Sequence, residues 1–145
     1  MLNERKVESL RLKAEYPIPP TSHIKTPFRS IKEWLQFLCE HEHYSVPISE
    51  YLIAFSEPPG ILACLVGYNQ GIEQGTPTKR IVFQPGQYMW FKLPTKKYGG
   101  KLKNQLIAII HSELKEFFDE DVFKQSFLAR GYRISTTFQK DIWSK

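Results

Sequence analysis

The chain has 145 residues, of which 41% are hydrophobic, 14% aromatic and 24% charged. That composition fills a hydrophobic core unaided and excludes wholesale disorder. An excess of 20 Lys and Arg over 15 Asp and Glu leaves a net charge of +5, which permits an anionic ligand without requiring one. Residues 6–16 alternate, with Leu10, Leu12, Ala14 and Tyr16 on one face and Arg11, Lys13 and Glu15 on the other. This period of two predicts a half-buried strand, ended by Pro17, Pro19 and Pro20. Ser30-Ile31-Lys32-Glu33 has the spacing of a capping box. Behind it Ile31, Trp34, Leu35 and Leu38 recur at helical spacing and predict a helix over 31–41.

Residues 51–55 form a short apolar strand, and Glu57-Pro58-Pro59-Gly60 is a turn signal. The nearly continuous apolar run over 61–68 predicts a central strand covered on most of its area. The polar stretch 69–79 reads as a loop. Strand character resumes over 80–83, breaks at Gln84-Pro85-Gly86-Gln87 and returns over 88–93. Residues 94–101 form a loop rich in Lys and Gly. From Leu102 on, Leu106, Ile109, Ile110, Leu114, Phe117 and Phe118 predict an amphipathic helix of roughly four turns. Tyr132, Ile134, Thr136 and Phe138 alternate with Arg133, Ser135, Thr137 and Gln139, a last half-buried strand. This order predicts an α+β domain over 1–145, with two helices on one face of an antiparallel sheet.

Two cysteines, Cys39 and Cys64, are too few for a disulfide scaffold, and both lie in apolar stretches as buried thiols. The opening Met1–Lys6 is polar, and no window reaches the roughly 18 apolar residues of a membrane span. The expectation is a cytoplasmic protein that meets no membrane.

No G-x-S-x-G elbow, H-E-x-x-H or P-loop is present. The run Cys39-Glu40-His41-Glu42-His43 looks metal-like, but zinc needs four ligands, and positions two apart on a helix point in different directions. No metal and no cofactor is expected. Lys92, Lys96, Lys97, Lys101 and Lys103 cluster around Gly99-Gly100, just before the second long helix. Lysines beside a helix N-terminus attract anions, yet charge and glycine alone do not define a cradle, so the segment reads as a solvated loop. The aromatics are the strongest signal. Tyr16, Trp34, Tyr51, Phe55, Tyr68, Tyr88, Trp90, Phe91, Tyr132, Phe138 and Trp143 fall mainly on the predicted sheet and first helix. Tyr and Trp pair an apolar body with a polar tip and often line pockets. No RNP-like run accompanies them, so no nucleic-acid partner is expected.

Three stretches resemble the GyrI-like small-molecule-binding domain, the effector-binding domain of AraC-type and MerR-type regulators. They are residues 7–16 with the helix containing Glu33-Trp34-Leu35, residues 51–59 with Leu62-Ala63-Cys64-Leu65-Val66, and residues 83–92. The resemblance implies two pseudo-repeated strand-helix-strand-strand halves. They would form a curved sheet with two helices behind it and an aromatic-lined pocket between the halves. The family's pocket glutamate sits in the closing strand, and residues 132–139 carry no acid. That departure removes the reason to expect a cationic ligand or hydrolytic activity. With no helix-turn-helix segment, the chain would be a stand-alone module.

The leading expectation is non-catalytic binding of a small aromatic or hydrophobic ligand in a cleft lined by Tyr16, Trp34, Tyr68, Trp90 and Tyr132. The alternative is a protein-interaction module, or a homodimer, that uses an exposed sheet face. A hydrolase is the third reading and needs Glu15, Glu57 or Cys64 inside the cleft.

Overall fold

The computed structural model describes residues 24, 27–44, 48–56, 61–86 and 88–145, the side chains of 71–73 excepted. The strand expected over 6–16, the turn at 57–60 and residues Tyr16, Glu15 and Glu57 lie outside these described residues. The architecture is α+β, as the sequence order predicts. Helix α1 spans Ile31–His41. Strands β1 (Glu50–Phe55), β2 (Leu62–Glu73), β3 (Thr76–Phe83) and β4 (Trp90–Lys92) follow. Then come α2 (Thr95–Tyr98), α3 (Lys103–Phe118), α4 (Asp121–Lys124) and a 3-10 turn over Leu128–Arg130. Strands β5 (Arg133–Thr136) and β6 (Trp143–Ser144) close the described chain.

The strands form one sheet in the order β3-β2-β1-β5-β6, with β4 also paired to β2. Every pairing is antiparallel except β1 with β5, which run parallel with Tyr51 opposite Ile134. The expected antiparallel sheet therefore has one parallel seam at its centre.

Helix α1 begins where the capping signal places it. The Ser30 hydroxyl accepts the Glu33 N–H at 3.1 Å, satisfying a backbone donor that the first turn leaves open. Ile31, Trp34, Leu35 and Leu38 are buried with no exposed surface. They pack with Leu106, Ile110, Leu114 and Phe117 of α3 against the sheet face made by Tyr51, Ile53, Phe55, Ala63 and Leu65. Both long helices thus serve one face. On the other face Leu52, Ala54, Cys64, Val66 and Tyr68 are buried as well, with Ile81, Met89 and Trp90 against them. The expected central strand is buried throughout 61–68.

Several expected elements change: the strand over 88–93 narrows to Trp90–Lys92, and the loop over 94–101 contains α2. The segment 69–79 is no loop: β2 continues to Glu73, turns over Gln74-Gly75 and returns as β3 from Thr76. Gln74 (φ 51°) and Gly75 (φ 79°) are both left-handed, the conformation of a two-residue hairpin whose twist matches the strands. The last strand stops at Thr136 instead of running to Gln139. The Thr136 hydroxyl oxygen accepts the N–H groups of Phe138 (3.1 Å) and Gln139 (3.0 Å) and so bends the chain out of the ladder.

A buried polar chain ties the helices together. The Ile31 N–H, at the start of α1, donates to the Tyr98 hydroxyl at 2.9 Å. That hydroxyl donates to Glu113 of α3, whose other oxygen accepts Lys97 Nζ at 3.1 Å. Glu113 is only 7% exposed, and a buried carboxylate needs such partners. Tyr98→Phe removes one acceptor and one donor at once. It should lower stability by about 1–3 kcal/mol in urea unfolding; an unchanged midpoint would contradict the role given to this chain.

Candidate functional site

Of the expected cleft residues, Trp34, Tyr68, Trp90 and Tyr132 are among the described ones. Trp34 is fully buried on the core-facing side of α1, and its Nε1–H donates to the Tyr88 carbonyl at 2.7 Å. Tyr68 and half-buried Trp90 share the opposite sheet face. Tyr132 is 63% exposed beside β5. Tyr68 and Trp90 thus belong together, while Trp34 and Tyr132 stand apart from them and from each other. The sheet face that the interaction reading relies on is not exposed at its centre, because Leu52, Cys64, Val66 and Tyr68 are all buried.

The lysine segment divides. Lys97 is held by Glu113 at 3.1 Å, within a short helical turn where a loop is expected. Lys96, Lys101 and Lys103 are exposed and Lys92 is half-buried. At the end of α1, the His41 ring stacks on Phe37 with centroids 4.0 Å apart, and its Nδ1 lies 2.9 Å from the Phe37 carbonyl. His43 has left the helix. Among the described residues no group of three His, Cys, Asp or Glu side chains is placed to hold a metal ion.

What the fold does build is a cavity of about 260 Å3. It lies between the end of α1 and the turn after α4. Cys39, Glu42, His43 and Tyr44 line it from one side, and Gln125, Ser126, Phe127 and Arg130 from the other. Its walls are anchored from behind. Tyr44 packs on Phe83 with centroids 5.0 Å apart and donates its hydroxyl to the Val82 carbonyl at 3.2 Å. Phe127 packs on Phe83 (5.1 Å) and edge-on to Tyr51 (5.8 Å), while the Tyr51 hydroxyl reaches the Phe127 carbonyl at 3.5 Å. The Ser126 hydroxyl donates to the Phe123 carbonyl at 2.7 Å. Glu42 accepts the Gly86 N–H at 2.7 Å, which binds the segment after β3 to the end of α1. Arg130 is exposed and makes no ion pair with another described residue. Its own carbonyl accepts Lys145 Nζ at 3.3 Å.

The one thiol in these walls is held protonated. Burial pushes the Cys39 thiol up to about 12; a hydrogen bond with Ser126 acts the other way, and Glu40 adds to the rise. A protonated thiol is neither nucleophile nor metal ligand. Cys64, the third reading's candidate, is buried on the far sheet face, and burial alone raises its thiol well above the ordinary range.

The half of the cavity formed by Gln125, Ser126, Phe127 and Arg130 carries no signal in the sequence. These residues follow a helix of four residues and meet Cys39 only through the fold. Among the described residues, no helix is long and apolar enough to cross a membrane. In comparisons with known proteins, no family model, curated protein or solved structure matches the chain.

Both thiols should resist modification. At pH 8 a disulfide reagent such as dithionitrobenzoate should react slowly with the native protein and rapidly once guanidinium unfolds it. Fast reaction of the native form would show a thiolate that this geometry does not support. Alkali should also weaken the fold. Above 9.0, the ordinary thiol value, the unfolded chain ionises Cys39 and Cys64 while the folded chain keeps them protonated. The unfolded state then binds fewer protons, and stability falls by about 1.4 kcal/mol per pH unit for each thiol. The buried phenols of Tyr51 and Tyr98, raised chiefly by burial, extend the decline. A urea midpoint that holds level from pH 8 to pH 11 would contradict this.

Proposed function

We propose that the chain is a non-catalytic small-molecule-binding module whose ligand sits in the cavity between the end of α1 and the turn over Leu128–Arg130. The observation that carries this reading is the cavity itself. Its walls are fixed by their own hydrogen bonds and ring contacts, and exposed Arg130 is part of its lining. At about 260 Å3 it falls just below the roughly 300–1,000 Å3 of pockets that take drug-sized ligands, so it suits a small metabolite. The protonated Cys39 thiol and the Ser126 hydroxyl, which donates to a backbone carbonyl, support binding without turnover. The sequence resemblance to GyrI-like domains points to the same class of function. The seat proposed here differs from the cleft expected of that family, since Trp34, Tyr68, Trp90 and Tyr132 are not among its lining residues.

A thermal-shift screen of small polar and aromatic metabolites tests the proposal. A ligand at about 100 times its Kd adds about 2.7 kcal/mol of stability and raises Tm by several degrees. The variant Gln125→Trp, on an exposed rim position, should fill the cavity and abolish the shift while leaving the unliganded Tm close to that of the parent. A shift that persists in Gln125→Trp would place the ligand elsewhere. A well-folded protein that responds to no compound would refute the binding reading.

A further inference from the structure

We infer that the ligand of this cavity carries a carboxylate, and that Arg130 is the residue that reads it. The inference rests on the binding role proposed above and adds the chemical class.

Arg130 lies on the cavity wall and has no ion-pair partner among the described residues. Four other cations of the fold do have one: Lys32 with Glu120, Lys79 with Glu50, Lys97 with Glu113 and Arg133 with Asp141. The position of Arg130 is nonetheless determined by the fold. Its N–H donates to the Phe127 carbonyl at 3.2 Å. The next residue, Gly131, sits against the Tyr51 ring, where an added Cβ would come within 3.0 Å of Tyr51 Cε2. The backbone that carries Arg130 is thus held by its neighbours on both sides.

Glu42 is the acid in the lining, and one of its carboxylate oxygens is already given to the Gly86 N–H. Lys145 Nζ, 3.3 Å from the Arg130 carbonyl, adds a second positive charge beside this edge. Glu42 keeps its negative charge, so the case for an anion rests on Arg130, with Lys145 close to its backbone, standing against that single acid of the lining. A guanidinium offers a planar pair of N–H donors that matches a carboxylate and is always charged. Tyr44 lines the cavity among polar residues, Glu42, His43, Gln125 and Ser126, while the Phe127 ring is buried against Phe83 and Tyr51. A small carboxylic acid, of which benzoate is a simple representative, fits this lining.

The probes are benzoate and its neutral near-isostere benzamide, titrated into the folded chain and read through backbone amide NMR shifts. Benzoate should move the signals of Cys39, Ser126 and Arg130, and should bind at least tenfold more tightly than benzamide. That is the order expected when a hydrogen bond to a charged group is gained. Arg130→Gln should remove the preference, and Arg130→Lys, which keeps the charge but loses the fork, should weaken benzoate severalfold. Arg130 is exposed, so both variants should retain the parent's Tm. Equal binding of the two probes, or a benzoate affinity unchanged in Arg130→Gln, would overturn the carboxylate inference and leave the pocket standing. If neither probe moves the cavity signals and the metabolite screen also fails, both fall together.

Discussion

The ring of Tyr51 occupies a space that only two glycines leave open. Gly67 lies directly opposite it in the β1–β2 register, and a Cβ there would come within 3.1 Å of Tyr51 Cε1. Gly131, leading into β5, would meet the other edge of the ring at 3.0 Å. A side chain at either place would push the ring out of a tightly packed interior, where overpacking costs about 1–3 kcal/mol. Because the ring stays, Phe83 and Phe127 pack against it and the Phe127 carbonyl comes within reach of its hydroxyl. Phe127 is in turn a wall of the cavity, and Arg130 lies one residue before Gly131. The packing of one aromatic side chain thus sets both the junction of three strands and the geometry of the site.

Helix α1 connects this region to the rest of the core. At its N-terminus the Ile31 N–H is bound by the Tyr98 hydroxyl, which links it to Glu113 of α3. At its other end Glu42 holds the Gly86 N–H, while Cys39 and His43 face the cavity. Between the two ends the buried stripe of Ile31, Trp34, Leu35 and Leu38 leaves α1 no freedom to roll. Even Tyr88, held in a left-handed conformation (φ 54°), is fixed by the hydrogen bond from Trp34. A site carried on such an element is preorganised, and a ligand there meets groups already in position.

Sequence patterns revealed the elements whose signals are local. A capping serine with an apolar stripe at helical spacing defined α1, and an unbroken apolar run identified the strand buried on both faces. The hairpin at Gln74-Gly75 was hidden because its strands are polar and its turn lacks the usual Asn-Gly pair. The early end of β5 depends on one hydroxyl turned back onto its own backbone, which alternation alone cannot show. The candidate site was less legible still. Aromatic content pointed to Trp34, Tyr68, Trp90 and Tyr132, but a list of residues does not say which sheet face each will occupy. Cys39, Glu42 and His43 were noticed for another chemistry. Their partners Gln125, Ser126, Phe127 and Arg130 come from a short, irregular stretch far along the chain, and only tertiary packing unites them.

The parallel seam between β1 and β5 bears on how the chain is made. Phe55 of β1 donates its N–H to Thr137, just past β5, across a separation of 82 residues. A nascent chain emerging from the ribosome can pair β1 with β2 early, since they are near neighbours. The opposite edge of β1, with the sequence Tyr51-Leu52-Ile53-Ala54-Phe55, then waits with open backbone groups and no charge until Arg133–Thr136 is synthesised. During that interval it is a template for pairing with other chains. Once β5 arrives, the polar pattern Arg133, Ser135 and Thr136 and the two-residue β6 replace it with a short edge that offers little to a second chain. Chaperone demand during biosynthesis should therefore centre on the time between the translation of these two strands.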